Sequence, residues 1–348
     1  MQPSYPAVMD PYLLKNKIAV ADVKIASTLT NKGSFGEKIP GGLLKLSLLE
    51  GAYLMENGRI TVRWDKGDKK MDHTEILEEG MRDDPHFMEN YLVHRDLRNR
   101  GLIAKESGAG SFLIYPRGGR PGKSKPDGSV TVRRENDSQS VQDLYLEALK
   151  RENIFQAAVT AVVDGDWDIT YYRVEVNPFD EGGENEVKGI EGSGRIPIPR
   201  GGAIIKGVDP ERIRKDLFIG TALDSSMLLS EEEDRYLNDI DHDPEGIHRI
   251  KWDTYKDLRG RGWFVRTGFK YGTHFRVYTR HPDEDHSAML VHCMPGDQEI
   301  TWEEFSRGVR LCHSVNKRMI YAFDPVGLED TDYRIGSPSY LHIGWIRP

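Results

Sequence analysis

Tyr255-Lys-Asp-Leu-Arg-Gly-Arg-Gly-Trp-Phe-Val-Arg-Thr-Gly-Phe-Lys-Tyr-Gly-Thr-His-Phe-Arg-Val-Tyr278 has a degraded copy earlier in the chain, Arg95-Asp-Leu-Arg-Asn-Arg-Gly-Leu-Ile-Ala-Lys-Glu-Ser-Gly-Ala-Gly-Ser-Phe-Leu-Ile-Tyr115. Asp96-Leu97-Arg98 and Arg100-Gly101 match Asp257-Leu258-Arg259 and Arg261-Gly262 at an offset of 161 residues, and Tyr172-Arg173 matches Tyr333-Arg334 at the same spacing. The chain is read as an internal duplication. A repeat of this length is a domain with its own core, too long for a solenoid unit, and 348 residues hold two.

Lys+Arg 48 against Asp+Glu 56 gives a net charge of -8, which by itself argues against a nucleic-acid ligand. The distribution is more informative. Between Arg249 and Arg280 there are nine Lys/Arg and two Asp, whereas Glu231 to Glu245 holds eight acids and one Arg. A basic stripe beside an acidic run suggests a polyanion site and a separate surface for something basic, with two ordinary solvated faces as the alternative. No stretch reaches the ~18 to 20 apolar residues of a membrane span, and Met-Gln-Pro-Ser-Tyr-Pro at the start lacks a basic n-region and an apolar core, so a cytoplasmic protein with no membrane partner is expected. Cys293 and Cys312, each among apolar neighbours, are expected as buried free thiols.

Gly42 to Gly58 reads as a strand turning into a short helix that ends at Asn57-Gly58. Helical periodicity continues through His73 to Glu79, with Gly80 as a stop, and through Phe87 to Arg98; Leu102 to Tyr115 alternates like a hairpin. Arg117 to Gly128 has no apolar residue and is expected as a mobile basic loop, with RNA contact as a hypothesis for Arg117 to Lys125. Val141 to Leu149 is helical, and Phe155 to Val163 and Ile169 to Val176 are strands around the acidic turn Asp164-Gly-Asp-Trp-Asp168. Asn177 to Gly202, dense in Gly, Pro and Glu, is expected as the linker between a first repeat, 1–176 (subdomains about 16–85 and 86–176), and a second, 203–348 (subdomains about 203–254 and 255–348). Each repeat has a small N-terminal α/β subdomain and a mixed-sheet subdomain, an α/β (mixed α+β) fold class. In the second, Thr301-Trp-Glu-Glu304 is a capping box, and Trp302, Phe305, Val309 and Cys312 bury one helical stripe. Asp239-Ile-Asp-His-Asp243 lacks the spacing of a calcium loop and is read as a solvated acidic linker.

Tyr278 closes a strand, His286 opens the next, and a helix delivers Lys317, with Arg310 near it; three elements of one sheet can converge there. A phosphodiester transesterification in RNA needs a base for the 2′-hydroxyl, an acid for the departing 5′-oxygen and a cation for the charge on phosphorus, and Tyr, His and Lys fill these roles without a metal. Tyrosine is a poor base near neutral pH unless a cation such as Arg276 favours the phenolate. Each residue also has an ordinary structural explanation. The first copy sharpens the choice: Tyr115 keeps the tyrosine, the loop after it has no His, and aligning Asp164 with Asp324 puts Ala157 where Lys317 stands.

At the run from Tyr255, at His286-Ser287 and at Thr301-Trp-Glu-Glu-Phe-Ser-Arg-Gly-Val-Arg-Leu-Cys-His-Ser-Val-Asn-Lys317, the chain resembles the archaeal tRNA-intron splicing endonucleases, and its duplication resembles their two-repeat, homodimeric subclass. The resemblance implies two tandem tRNA-splicing-endonuclease-like units, the first degenerate and non-catalytic. It implies cleavage of precursor tRNA at a bulge-helix-bulge without a cofactor or metal, leaving 2′,3′-cyclic phosphate and 5′-hydroxyl ends. Tyr278 is then the general base, His286 the general acid, with His281 as the alternative, and Lys317 the stabiliser of the transition state. Arg310 matches an arginine that stacks on a bulge base, and Trp345 is the candidate for its partner. Asp164, Asp166 and Asp168 resemble the loop that docks into a basic cleft of the other chain of the dimer. A non-catalytic RNA-binding or assembly subunit on the same fold, and a metal-dependent nuclease, are the rival readings.

Overall fold

Among the described residues, four short strands and three helices make the first subdomain. β1 (Tyr12–Leu14), β2 (Lys17–Val20), α1 (Val23–Gly33), β3 (Glu37–Lys38) and β4 (Leu44–Ser47) succeed one another, the strands pairing antiparallel in the order β1-β2-β4-β3. Ser47 ends β4 and caps α2 (Leu48–Glu56): its hydroxyl accepts from Glu50 N, and the Glu50 carboxylate accepts from Ser47 N. Gly51 lets α2 lie on β2, since a Cβ there would stand 1.9 Å from Ile18. Gly80 acts likewise. It does not end its helix: α3 runs His73–Asp83, and a Cβ at Gly80 would meet the Phe87 ring at 2.3 Å. The structure, a computed structural model, describes residues 10–40, 43–64, 69–108, 110–116, 118–152, 157–179, 194–238, 245–325 and 337–347. The Asp239–Asp243 run, Arg117 and the pair Tyr333-Arg334 lie outside them.

After α4 (Phe87–Asn99), β5 (Ile103–Gly108), β6 (Ser111–Tyr115) and β7 (Gly128–Arg134) pair antiparallel; β8 (Ser138–Ser140) and α5 (Val141–Glu152) lead to β9 (Ala157–Val163), parallel to β7, and β10 (Ile169–Val176) lies beside β9. The chain forms two compact units: a first of residues to Asp137 with Arg151–Tyr172 and the chain's end, and a second of Ser138–Lys150 with Arg173–Trp345. Thus β8 and most of α5 belong to the second unit, where β8 pairs with a strand at Glu299–Thr301 and Tyr145 packs on Phe323.

The second unit repeats the plan. β11 (Gly194–Pro197), β12 (Ala203–Lys206), α6 (Pro210–Leu217), β13 (Thr221–Leu223) and β14 (Ser226–Leu229) give a sheet of order β11-β12-β14-β13, the topology of the first small sheet. β11 lies inside the span read from the sequence as a linker, and Phe179, also in that span, packs on Trp263 and Tyr340. Then come α7 (Glu231–Asn238), α8 (Gly246–Gly260), β15 (Phe264–Thr267), β16 (Phe275–Tyr278), β17 (Met289–Pro295), β18 (Glu299–Thr301), α9 (Trp302–Ser314), β19 (Arg318–Asp324) and β20 (Ser339–Ile346). The strand order is β15-β16-β17-β19-β20, with β17 and β19 parallel. α8 covers one face, burying Ile250, Tyr255 and Leu258 with Val265, Val277, Val291 and Ile320; α9 covers the other through Phe305 on Tyr321 and Cys312 on Met319. β17, β18, α9 and β19 each begin 161 residues after β7, β8, α5 and β9: Met289 after Gly128, Glu299 after Ser138, Trp302 after Val141, Arg318 after Ala157. This register corrects the alignment of Asp164 with Asp324. Ala157 corresponds to Arg318, and the position matching Lys317 is Gln156, outside the described residues.

The first core carries a pH-sensitive group. His94 is 1 % exposed, lies between Tyr53 and Phe112, and neither ring nitrogen has a hydrogen-bond partner among the described residues. Burial first, then the cations Arg98 and Lys105, hold its pKa down to about 3. The unfolded chain takes up the proton near 6.5 and the folded chain only near 3, so this stability is complete above pH 6.5 and declines on acidification, by about 1.4 kcal/mol per pH unit at most. His94→Phe is expected to flatten the pH dependence of urea unfolding between pH 6.5 and 4; an unaltered slope would show that another group governs it.

Candidate active site

The repeated Asp-Leu-Arg-x-Arg-Gly motif is scaffolding. Asp257 accepts from Arg261 Nε and from the Tyr340 hydroxyl, both at 2.7 Å, and the buried Arg259 donates to the carbonyls of Trp263 and Leu217. Gly262, at φ 77°, turns the chain from α8 into β15. The first copy does the same: Asp96 accepts from Arg100 and Tyr171, Arg98 donates to Gly33 O, and Gly101 sits at φ 82°. The basic stripe is likewise spoken for in large part. Lys251 pairs with Glu232 and Arg266 with Glu233 of the neighbouring acidic run, while Arg261 pairs with Asp257 and Arg249 with Asp253 and Asp324. Lys256, Lys270, Arg276 and Arg280 have no carboxylate partner among the described residues.

One of these pairs fixes the candidate site. Glu233, buried at the start of α7, accepts from Ser230 N at 2.9 Å, Gly220 N at 3.0 Å and Arg266 Nη1 at 2.9 Å. Arg266 stands opposite Arg276 in the β15–β16 pair, and its guanidinium lies 5.4 Å from the Phe218 ring. Phe218 meets Tyr278 edge-on at 6.1 Å. The small subdomain of this copy therefore braces the strand that ends in Tyr278.

Strand register then gathers the candidates. Ala288 N donates to Val277 O, setting the residues just before β17 beside the end of β16; Arg318 N donates to Ala288 O, setting those before β19 beside the same point. Because β17 and β19 are parallel, both enter the sheet at the edge where β16 leaves it. Lys317 Nζ donates to Ser287 O at 2.7 Å, next to His286, and lies 5.9 Å from the Tyr271 ring. His286 is exposed, its backbone N–H bonded to Asp285. Tyr278 is 8 % exposed, with the Arg276 guanidinium 5.8 Å from its ring. His281, the alternative acid, is turned into an aromatic cluster with Phe218 and Phe264; its Nδ1 accepts from Asp283 N and its Nε2 is buried.

Arg310 projects, exposed, from α9, without a carboxylate partner among the described residues. Trp345 is 44 % exposed and meets His313 of α9 edge-on at 5.8 Å. Extended along β20, the pairing of Ile320 with His342 brings Trp345 to the level of Lys317. In the acidic turn, Asp164 serves the turn itself, its Oδ1 accepting from Asp166 N and Asp168 N. Asp166 and Asp168 face solvent beside the exposed Trp167, which adopts φ 67°. The sequence reading missed Glu233, Phe218 and Tyr271, which support the site across 33 to 60 residues of chain; the Ser230-x-x-Glu233 capping pattern was the only local sign.

A family model described as tRNA intron endonuclease, catalytic C-terminal domain, matches residues 87–171 and again 248–330, and that of the tRNA intron endonuclease N-terminal domain matches residues 9–77. Both copies of the larger sheet subdomain are thus of nuclease descent. A tRNA-splicing endonuclease of Methanosarcina acetivorans is 33 % identical over 337 residues, covering 90 % of this chain and 93 % of the relative, and one of Methanococcoides burtonii is 31 % identical over 336 residues, covering 89 % and 94 %. The chain belongs to the tRNA intron endonuclease family. A tRNA-splicing endonuclease of Thermococcus kodakarensis aligns over 95 % of its own length to 47 % of this chain, at 36 % identity, the proportion expected of a one-copy relative.

Arg266→Met strands the Glu233 carboxylate, which is 7 % exposed, without its cation. A loss of about 3 to 5 kcal/mol in unfolding free energy is expected, measured by urea titration. A change below about 1 kcal/mol would mean that the backbone donors suffice.

Proposed function

We propose that this enzyme excises introns from precursor tRNA by cutting at bulge-helix-bulge motifs without a metal, leaving 2′,3′-cyclic phosphate and 5′-hydroxyl ends. The reading rests on one observation, the meeting of Tyr278, His286 and Lys317 at a single sheet edge inside the second family match, where the first copy has no His in the loop after Tyr115 and Gln156 in place of the lysine. Tyr278 takes the proton of the 2′-hydroxyl and the 2′-oxygen attacks phosphorus. The bond from phosphorus to the 5′-oxygen breaks, and His286 gives that oxygen its proton. Lys317, held by Ser287 O, stabilises the charge on the phosphoryl oxygens. The Arg276 guanidinium lies 5.8 Å from the Tyr278 ring. Arg310 and Trp345, both exposed, stack on unpaired bulge bases.

Incubation of an end-labelled bulge-helix-bulge RNA in excess EDTA is expected to yield cyclic phosphate and 5′-hydroxyl ends, and His286→Ala to slow single-turnover cleavage by about 10² to 10⁴-fold. Absence of the cyclic product from the natural protein would refute the reaction; undiminished cleavage by His286→Ala would remove the acid from its role.

The working form is a homodimer in which Asp166 and Asp168 of one chain dock on cations of the other, bringing two sites to a fixed separation suited to two splice sites. Two observations support this: both acids are exposed, and Asp164 and the Trp167 N–H to Asp164 O bond hold the turn in shape. Asp166→Asn with Asp168→Asn is expected to shift sedimentation toward the monomer, more so at higher salt; an unchanged dimer would exclude this docking.

A further inference from the structure

The first unit, which supplies no candidate catalytic group, contains a cationic cleft. Two adjoining hollows of about 410 and 490 Å³ share Asn31, Ser34 and Arg120. They lie between the end of α1, β3 and the loop from Gly118 to Lys123. Arg59 and Arg98 flank the Phe35 ring at 5.2 and 3.9 Å on one side, and Arg120 and Lys123 line the other. Lys32 and Lys38 complete the wall, and among the described residues Glu37 is the one acid lining it. Of the cations, Lys105 is answered by Glu50; Arg59, Arg120, Lys123, Lys32 and Lys38 have no carboxylate partner among the described residues. In a chain of net charge -8, five such cations around two adjoining hollows are a local excess of positive charge.

The described part of the loop is turned by hydrogen bonds of its own. Gly119 N donates to Pro116 O, Lys123 N and Ser124 N donate to Arg120 O, and Arg120 N donates to Ser124 Oγ, so consecutive turns present the side chains of Arg120 and Lys123. Gly118 and Gly122, at φ 78° and 80°, make these turns possible. Five unanswered cations around an open hollow, with an aromatic ring at its floor, fit a polyphosphate backbone rather than an apolar ligand.

We infer that this cleft binds the phosphate backbone of the precursor RNA away from the scissile bonds, so that the degenerate copy contributes to substrate affinity. The inference rests on the RNA-cleaving reading above. The test is a salt titration of binding to a bulge-helix-bulge RNA carrying 2′-deoxy nucleotides at both scissile positions, which removes the nucleophile. For Arg120→Gln with Lys123→Gln, the slope of log affinity against log salt is expected to fall by about 1.4 to 1.8, with affinity weakened on the order of tenfold at 0.15 M salt. Lys24→Gln with Lys45→Gln, an equal change of charge on exposed residues of the same unit, is expected to leave the slope in place. An unaltered slope in the first variant, or an equal fall in both, overturns the proposal. If instead the first variant loosens self-association in sedimentation while RNA binding is intact, the cleft is a protein surface and the proposal fails. Cleavage of the unmodified RNA by the natural protein is scored in parallel, so failure of the reaction and failure of the cleft are separate results.

Discussion

Glu233 accepts from two backbone amides and from Arg266, and Glu50 repeats the arrangement with Gly36 N, Ser47 N and Lys105. Lys105 and Arg266 stand 161 residues apart, so the clamp belongs to the duplication itself. Hydrogen bonds to a charged group are each worth about 1.5 to 3 kcal/mol, and a buried carboxylate is tolerated only where several converge. Each clamp therefore does two things at once. It closes a helix N-terminus in the small subdomain and fixes the first strand of the larger sheet, and in the second copy that strand carries the partner of Tyr278.

With the clamp common to both copies, their difference lies in the side chains mounted on a shared scaffold. The Asp-Arg-Tyr bonding behind the repeated motif is preserved in both, at Asp96, Arg100 and Tyr171 and at Asp257, Arg261 and Tyr340. The parallel strand pairs β7–β9 and β17–β19 also match in register. Only the later pair is preceded in sequence by a histidine and a lysine at the two strand entrances. On the proposed function, the chemistry depends on which side chains stand at the entrances, and the strands themselves are common to both copies.

Features that depend on a few neighbouring residues were legible in the sequence. The capping box at Thr301, the buried stripe Trp302, Phe305, Val309 and Cys312, and the left-handed Gly58 after α2 are all found. Long-range pairing was not. The charge contrast between the basic stripe and the acidic run looked like two surfaces, yet Lys251–Glu232 and Arg266–Glu233 join them within the fold, because charges adjacent in sequence can meet across strands that periodicity cannot register. Gly80 looked like a helix stop, and only the Phe87 ring against it explains why the helix continues. Residues 194–197 looked like linker because Gly and Pro dominate there, but pairing of Ile196 with Ile204 makes them a strand. Tyr278 and Lys317 were nameable from motifs, while their meeting depended on a parallel register that no local pattern encodes.

The placement of β8 and α5 in the second unit affects the order of folding. Val141, Leu144, Tyr145 and Ala148 form an apolar stripe in the first half of the chain, and Tyr145 finds Phe323 only in the second. A ribosome releases that stripe well before its partner strand exists, so it stays uncovered through the synthesis of roughly half the protein. Severing the halves between residues 177 and 194 would therefore separate a finished duplication in sequence but an unfinished core in space.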